Sequence, residues 1–161
     1  MLAGGRSARF GSDKALFRVG GETLLGRTAR VCAEAGLIVH VVARHVREGA
    51  VDTVLEPDTP ARHPLHGVAA ALAAAAAAGH PTAVVLPVDL PGLTADAVRR
   101  LAATAAPTCA RGQPLLAHLP VAVAASAAAA AAAEGPVRRW MAALGPTELD
   151  LGPLENLNRP R

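Results

Sequence analysis

The chain has 161 residues, 52% of them hydrophobic, 2% aromatic and 18% charged, with two cysteines and a net charge of +3. That is enough for one domain whose core needs no staples, and too apolar for disorder. Cys32 and Cys109 are too few for a disulfide framework or a Cys-based zinc site, and the lack of tyrosine argues against a base-stacking nucleic-acid surface.

The charge is uneven. Residues 1–30 carry six cationic side chains (Arg6, Arg9, Lys14, Arg18, Arg27, Arg30) against Asp13 and Glu22, while the remainder nets minus one. The basic excess therefore points to a local anion site rather than a general polyanion surface. Fifteen of the sixteen basic residues are arginine, and Lys14 is the exception. In a chain skewed to Ala, Arg, Gly and Pro, a lysine suggests a position that needs a compact point charge. The two asparagines, Asn156 and Asn158, fall in one short segment.

In chain order, Leu2-Ala3-Gly4-Gly5 reads as a strand end running into a turn, followed by a loop through Asp13. Apolar residues at 24, 25, 31, 32 and 35, with Thr28 on the same face, predict a helix over 22–35, stopped by Gly36. The β-branched run 37–43 suits a buried strand, and 51–55 a weaker one. An alanine-rich helix is predicted over 67–78, a buried strand over 82–88, and a helix over 95–105 capped by Thr94 with Asp96 in its first turn. Leu115–Leu119 reads as a strand, 121–133 and 137–144 as helices, and 148–151 as a last strand. Alternating strands and helices imply a parallel sheet with helices on both faces. The charge-free windows 67–88 and 112–133 are long enough to span a bilayer, but Gly, His and Pro interrupt both and alanine gives little transfer energy. No membrane segment or signal peptide is expected, and a reducing cytoplasm is the default setting.

Three constellations could carry chemistry. Gly4, Gly5 and Gly11 lie among Arg6, Arg9 and Lys14. Glycines let backbone N–H groups approach and cradle an anion, and the cations add full charge. The pattern is neither a Walker A loop nor GxGxxG. Asp89, in Leu86-Pro-Val-Asp-Leu-Pro91, stands at the carboxyl end of a predicted buried strand, where open α/β sheets bind ligands. A carboxylate there suits Mg²⁺, which takes one or two carboxylates plus phosphate oxygens; the alternative is an Asp that caps the turn before Pro91. The third, Glu56-Pro-Asp58 followed by Pro64-Leu-His66-Gly67, is again a polar loop between a strand and a helix. His63 and His66 lack partners at zinc spacing and read as solvated loop histidines.

With these residues in view, Leu2 to Lys14 (LAGGRSARFGSDK) resembles the N-terminal signature of nucleotidyltransferases. The closest resemblance is to the molybdenum cofactor guanylyltransferases, with their LAGG-x-S-x-R-[MF]-G-x-D-K, D…GPLAG, P-x-D-x-P and N-x-N-T-P segments. Here these are Leu2–Lys14, Asp58 with Pro64-Leu-His-Gly67, Pro87-Val-Asp-Leu-Pro91 and Asn156-Leu-Asn-Arg-Pro160. They cover almost the whole chain in order, and Gly-Gly in place of Ala-Gly favours the guanylyl over the cytidylyl branch. His63 and His66 stand in place of the glycine and alanine of GPLAG, and Arg159 in place of the threonine of NxNTP. The family has a short apolar strand before LAGG and a helix after the last motif. Met1 directly precedes Leu2, so the central sheet is expected to lack backbone partners, and 1–161 reads as a single domain short at both ends.

The resemblance implies a Rossmann-like three-layer α/β/α fold of the nucleotide-diphospho-sugar transferase type, with a mostly parallel sheet. It implies transfer of GMP from Mg·GTP to the terminal phosphate of molybdopterin, with release of pyrophosphate. The nucleotide would meet Leu2, Ala3, Gly4, Gly5, Arg6 and Ser7; Arg9 and Lys14 would hold the triphosphate. Asp58 would lie near the nucleoside, and Asp89 would bind Mg²⁺. Asn156 and Asn158 would line the pterin side or complete the metal shell, with Arg138 and Arg139 as further candidates for the acceptor phosphate. Other molybdenum cofactor biosynthesis proteins are possible partners; no nucleic acid or membrane is expected. Two alternatives remain: a transferase with another acceptor, of cytidylyl or sugar-phosphate type, and a nucleotide-binding protein without catalysis.

Overall fold

The structure is a computed structural model that describes residues 1–3, 14–45, 52–57, 59, 62–154, 156 and 157. After a 3-10 turn at Lys14–Leu16, β1 (Arg18–Val19) and β2 (Glu22–Thr23) form a hairpin. Its turn is Gly20-Gly21, both with positive φ (61° and 86°), as a tight two-residue hairpin requires. Helix α1 (Leu24–Glu34) starts at Thr23, whose Oγ1 accepts from the Gly26 N–H at 3.0 Å. Then follow β3 (Val41–Ala43), β4 (Thr53–Leu55), α2 (Pro64–Ala77), β5 (Thr82–Val85) and α3 (Ala95–Ala102). The chain continues with β6 (Thr108–Ala110), β7 (Gln113–Pro120), α4 (Ala124–Ala132), α5 (Val137–Ala143) and β8 (Thr147–Leu149). Thr94 caps α3 with its Oγ1 accepting from Ala97 N–H, and Asp96 sits in the first turn, both as expected.

The fold is mixed α/β. Strands β3 and β4 pair in parallel. The four-stranded sheet runs β5-β7-β6-β8 and is mixed: β7 is antiparallel to both neighbours, while β6 and β8 are parallel. The parallel pairing expected from strand–helix alternation is present in β3–β4 and β6–β8, and β7 departs from it. Strand β6 follows α3 through a short connection and turns directly into β7 at Arg111-Gly112, where Gly112 has φ 75°. A hairpin makes antiparallel neighbours, whereas a helical crossover makes parallel ones.

The three residues Met1–Ala3 sit between the two sheets. Leu2 bridges in parallel to Val42 on one side and to Pro87 on the other. Leu2 N–H donates to Leu86 O at 2.8 Å, Ala3 N–H to Val42 O at 2.8 Å, and Val42 N–H to Met1 O at 2.7 Å. The expected gap in the central sheet is thus bridged by the first residues themselves, whose N–H groups all reach carbonyl partners.

Side chains alternate between two apolar clusters, as strand geometry dictates. Val84, Leu86 and Val88 join a cluster with residues of α1 and α3. Val85 and Ala83 join one with α2, α4 and α5. Along β7, Leu116 goes to the first, while Leu115, Ala117 and Leu119 go to the second. Helices therefore cover both faces. The alanine runs let α2 and α4 approach closely, with Ala127 and Ala131 fully buried. Cys32 and Cys109 are free and buried, and burial pushes both thiols up. No helix among the described residues is long and apolar enough to cross a membrane.

The predicted strand 37–43 survives only as Val41–Ala43. Leu37 N–H instead closes α1 on Cys32 O, Gly36 turns at φ 83°, and Ile38 is exposed. A β-branched run becomes strand only where neighbours offer bonds, and the register with β4 runs from Val41↔Thr53 to Ala43↔Leu55.

Candidate active site

Asp89 is held by its neighbours in sequence. Pro87 is bridged to Leu2, and Val88 and Leu90 are buried anchors on either side. This fixes the carboxylate just beyond the carboxyl end of β5. On α1, the Arg27 Nε–H donates to Pro91 O at 2.8 Å and ties the helix to the same turn.

Lys14 opens the 3-10 turn, anchored by fully buried Ala15. Its Nζ donates to Asp89 Oδ2 at 3.0 Å, and the two side chains are only 19% and 20% exposed. Lys14, expected on the triphosphate, and Asp89, expected on the metal, thus share one place. Asp89 Oδ1 is buried with no hydrogen-bond partner, so the side chain does not cap the turn before Pro91.

The tail completes this corner. Leu157 N–H donates to Asp89 O at 2.9 Å, and Gln113 Nε2–H donates to Leu154 O at 3.0 Å. These bonds bring Asn156 to the turn, and its Oδ1 is also buried without a partner. Two orphaned acceptor oxygens suit a hard cation. Among the described residues no group of three or more His, Cys, Asp and Glu could hold a metal. The Asp89 carboxylate and the Asn156 amide oxygen fit Mg²⁺, which takes one or two carboxylates and completes its shell with phosphate oxygens and water.

Glu56 escapes a reading that favours Asp58. It directly follows β4, with its N–H donating to Ala43 O at 3.0 Å. It is half-buried, and burial pushes its carboxyl up against the pull of Arg44, His66 and Arg62. A Cβ on Gly67 would lie 3.0 Å from Glu56 Oε1 and 3.1 Å from Leu2 Cδ2. The glycine is thus where the first turn of α2 meets Glu56 and the Leu2 segment. The rule that picked out Asp89, a carboxylate at a strand's carboxyl end, also picks out Glu56.

His63 and His66 are not solvated loop residues. His63 caps α2, its Nδ1 accepting from Leu65 N–H at 3.3 Å, and His66 lies inside the helix with Nε2 buried and without a partner. Pro64 at the first turn fixes the helical φ there, so α2 starts three residues earlier than predicted. Leu2 and Ala3 lie at the centre of the sheet. Arg138 and Arg139 are exposed on α5, which packs on α4 and β7. Gly4, Gly5, Arg6, Ser7, Arg9, Asp58 and Asn158 lie outside the described residues.

The chain is 39% identical over 109 residues to a molybdenum cofactor guanylyltransferase of Xanthomonas euvesicatoria pv. vesicatoria, covering 68% of this chain and 55% of that protein. It is 34% identical over 146 residues to one of Acidiphilium cryptum, covering 86% and 74%. A protein of Opitutus terrae named "Probable molybdenum cofactor guanylyltransferase" is 46% identical over 99 residues, covering 59% of this chain and 48% of its own. The chain thus spans about half the length of two of these three curated relatives. Among solved structures, the molybdopterin-guanine dinucleotide biosynthesis protein A of Archaeoglobus fulgidus superposes with a TM-score of 0.73 at 17% identity, covering 93% of this chain and 81% of that one. Rv0371c of Mycobacterium tuberculosis H37Rv gives 0.70 at 20%, covering 98% and 90%. At these identities the two structures speak for the fold. The MobA-like NTP transferase domain pattern matches residues 1–148. The chain belongs to the MobA-like NTP transferase domain family.

Proposed function

We propose that this chain is a nucleotidyltransferase that moves GMP from Mg·GTP to the terminal phosphate of molybdopterin and releases pyrophosphate. The observation that carries the reading is the Lys14–Asp89 pair at 3.0 Å beyond the carboxyl end of β5, with an orphaned oxygen on Asp89 and another on neighbouring Asn156. The names of the relatives supply the nucleotide and the acceptor.

In the transfer, an oxygen of the acceptor phosphate attacks the α-phosphorus. A new P–O bond forms as the bond to the β-phosphate oxygen breaks, and pyrophosphate leaves with the electron pair. Such a reaction needs positioning and charge neutralisation more than covalent help. Lys14 places its ammonium on the polyphosphate and meets charge building on the leaving group. Asp89, with Asn156, would hold Mg²⁺, which when bound neutralises the phosphates as a Lewis acid. Arg27 positions the Asp89 turn through Pro91. The Leu2–Gly5 backbone with Arg6, Ser7 and Arg9 lines the nucleotide, and Glu56 or Asp58 faces the nucleoside. Asn158, Arg138 and Arg139 are assigned to the acceptor side.

We further infer that residues 1–161 form one domain. In it Met1–Ala3 joins the two larger sheets into a predominantly parallel, three-layer whole, supported by the two Leu2 bridges and the split of side chains between two clusters. Its place in this chemistry is a cytoplasmic one, alongside other molybdenum cofactor biosynthesis proteins.

Calorimetry with GTP, CTP and ATP in the presence of Mg²⁺, followed by a turnover assay with molybdopterin, tests the reading. Selective GTP binding with turnover is the expected result. Turnover with CTP moves the assignment to the cytidylyl branch, GTP binding without turnover to a nucleotide-binding protein, and no nucleotide binding ends it.

A further inference from the structure

The site as it stands contains a competition. One oxygen of Asp89 is taken by the Lys14 ammonium at 3.0 Å, in a corner where both side chains are about four-fifths shielded from water. A divalent cation drawn to this carboxylate meets a positive charge already seated on it. Like charges at such range in a poorly screened site repel strongly. The other oxygen, Asp89 Oδ1, is buried and unbonded, so the carboxylate is only half satisfied.

We propose that the Lys14–Asp89 pair is a latch opened by the nucleotide: it masks the metal carboxylate until a polyphosphate draws Lys14 away, so that cation and nucleotide enter as one complex. This rests on the proposed roles of the two residues. A triphosphate offers Lys14 an anion of higher charge than one carboxylate. When the ammonium swings to the phosphates, Asp89 is released to the cation that those phosphates already carry. The exchange trades the Lys14–Asp89 pair for a Lys14–phosphate pair and an Asp89–cation pair.

The latch also accounts for the residue type. Lys14 is the one lysine among sixteen basic residues. A lysine is a point charge on a flexible stem that exchanges partners readily, whereas arginine grips a carboxylate with a planar fork through two parallel bonds. An arginine at position 14 would hold the latch shut.

Mn²⁺ binding, read by electron paramagnetic resonance as free ion lost from solution, tests this without turnover. The variants are Lys14→Met, Lys14→Arg, Asp89→Asn and the double variant Lys14→Met/Asp89→Asn, with thermal melts to confirm folding. Without nucleotide, Lys14→Met is expected to bind Mn²⁺ roughly fivefold or more tighter than the unchanged protein, within the usual range for coupled sites. Lys14→Arg should show no gain, and the double variant should lose it. Equal or weaker Mn²⁺ binding by Lys14→Met overturns the latch, as does a gain that persists in the double variant. Lys14→Gln carries the same test if the methionine variant does not fold. A separate arm adds the α,β-methylene analogue of GTP. If Asp89→Asn binds Mn²⁺ as well as the unchanged protein does with the analogue present, Asp89 is not the metal residue and the proposed function itself fails. If that variant loses the metal while Lys14→Met gains nothing, the latch alone is wrong.

Discussion

Two ion-paired cations in this molecule have similar geometry and different settings. Lys14 meets Asp89 at 3.0 Å with both side chains about one-fifth exposed. Arg30 meets Glu22 at 3.1 Å and Glu34 at 2.8 Å with its side chain 47% exposed. The Arg30 cluster pulls Glu22 down and pushes the guanidinium up, and Arg30 has bonds to both carboxylates. In water such an arrangement adds little to stability, because solvent competes for every partner. The Lys14 pair leaves Asp89 Oδ1 unbonded in a shielded corner, which is a poor way to stabilise a fold and a good way to keep a ligand position ready. Unfinished bonding, rather than charge, separates a site from a surface.

The comparison can be broken most severely at Asp89. Asp89→Ala is expected to take Mg²⁺-dependent turnover to background while the melting temperature stays near that of the unchanged protein; retained turnover would place the metal elsewhere. Next comes Lys14→Ala, expected to slow turnover by roughly 10²–10³, as removal of one preorganised charge partner does. A variant that keeps more than half its rate would remove Lys14 from the transition state.

Gly67→Ala sharpens the contrast between site and scaffold. An alanine inside a helix is worth up to about 1 kcal/mol over glycine, and the close contacts its methyl would make with Glu56 and Leu2 offset that, so the melting temperature should change little. The added methyl crowds Glu56 Oε1 and Leu2 Cδ2, so nucleotide binding should weaken by roughly tenfold, or about 1.4 kcal/mol. Unchanged affinity in calorimetry would mean that this corner does not touch the nucleotide.

Smaller again is the effect of Glu56 on stability. Burial raises its folded-state pKa above the ordinary 4.5, so the folded chain holds that proton to higher pH than the unfolded chain. Its contribution is full below pH 4.5 and is lost as pH rises through the folded value. Glu56→Gln cannot ionise, so its melting temperature should gain on that of the unchanged protein between pH 4 and 7. A constant difference across that range would contradict the assigned shift. Arg30→Ala should leave turnover unchanged and the melting temperature nearly so, and a marked loss of either would erase the distinction drawn between the two pairs.

How much of this was legible in the residues varies with the kind of signal. The caps at Thr94 and the glycine stop at Gly36 are local chemistry, and the structure has both. Asp89 and Lys14 were legible because a carboxylate at a strand end and a lone lysine after a glycine loop are chemically odd. Strand β6 was not, since Thr108-Cys-Ala110 is three residues between a proline and a hairpin turn, with no room for a period-2 pattern. Its pairing with β7 is a tertiary fact, and so is the mixed order of the sheet. In the Glu56-Pro-Asp58 segment the motif points to Asp58 and the strand-end rule to Glu56.

A crystal structure of the protein with Mg²⁺ and the α,β-methylene analogue of GTP tests the central claim most directly. The account predicts the cation on Asp89 and the Lys14 ammonium on a phosphate oxygen, its bond to Asp89 gone. A nucleotide bound elsewhere, with Lys14 still seated on Asp89, would contradict it.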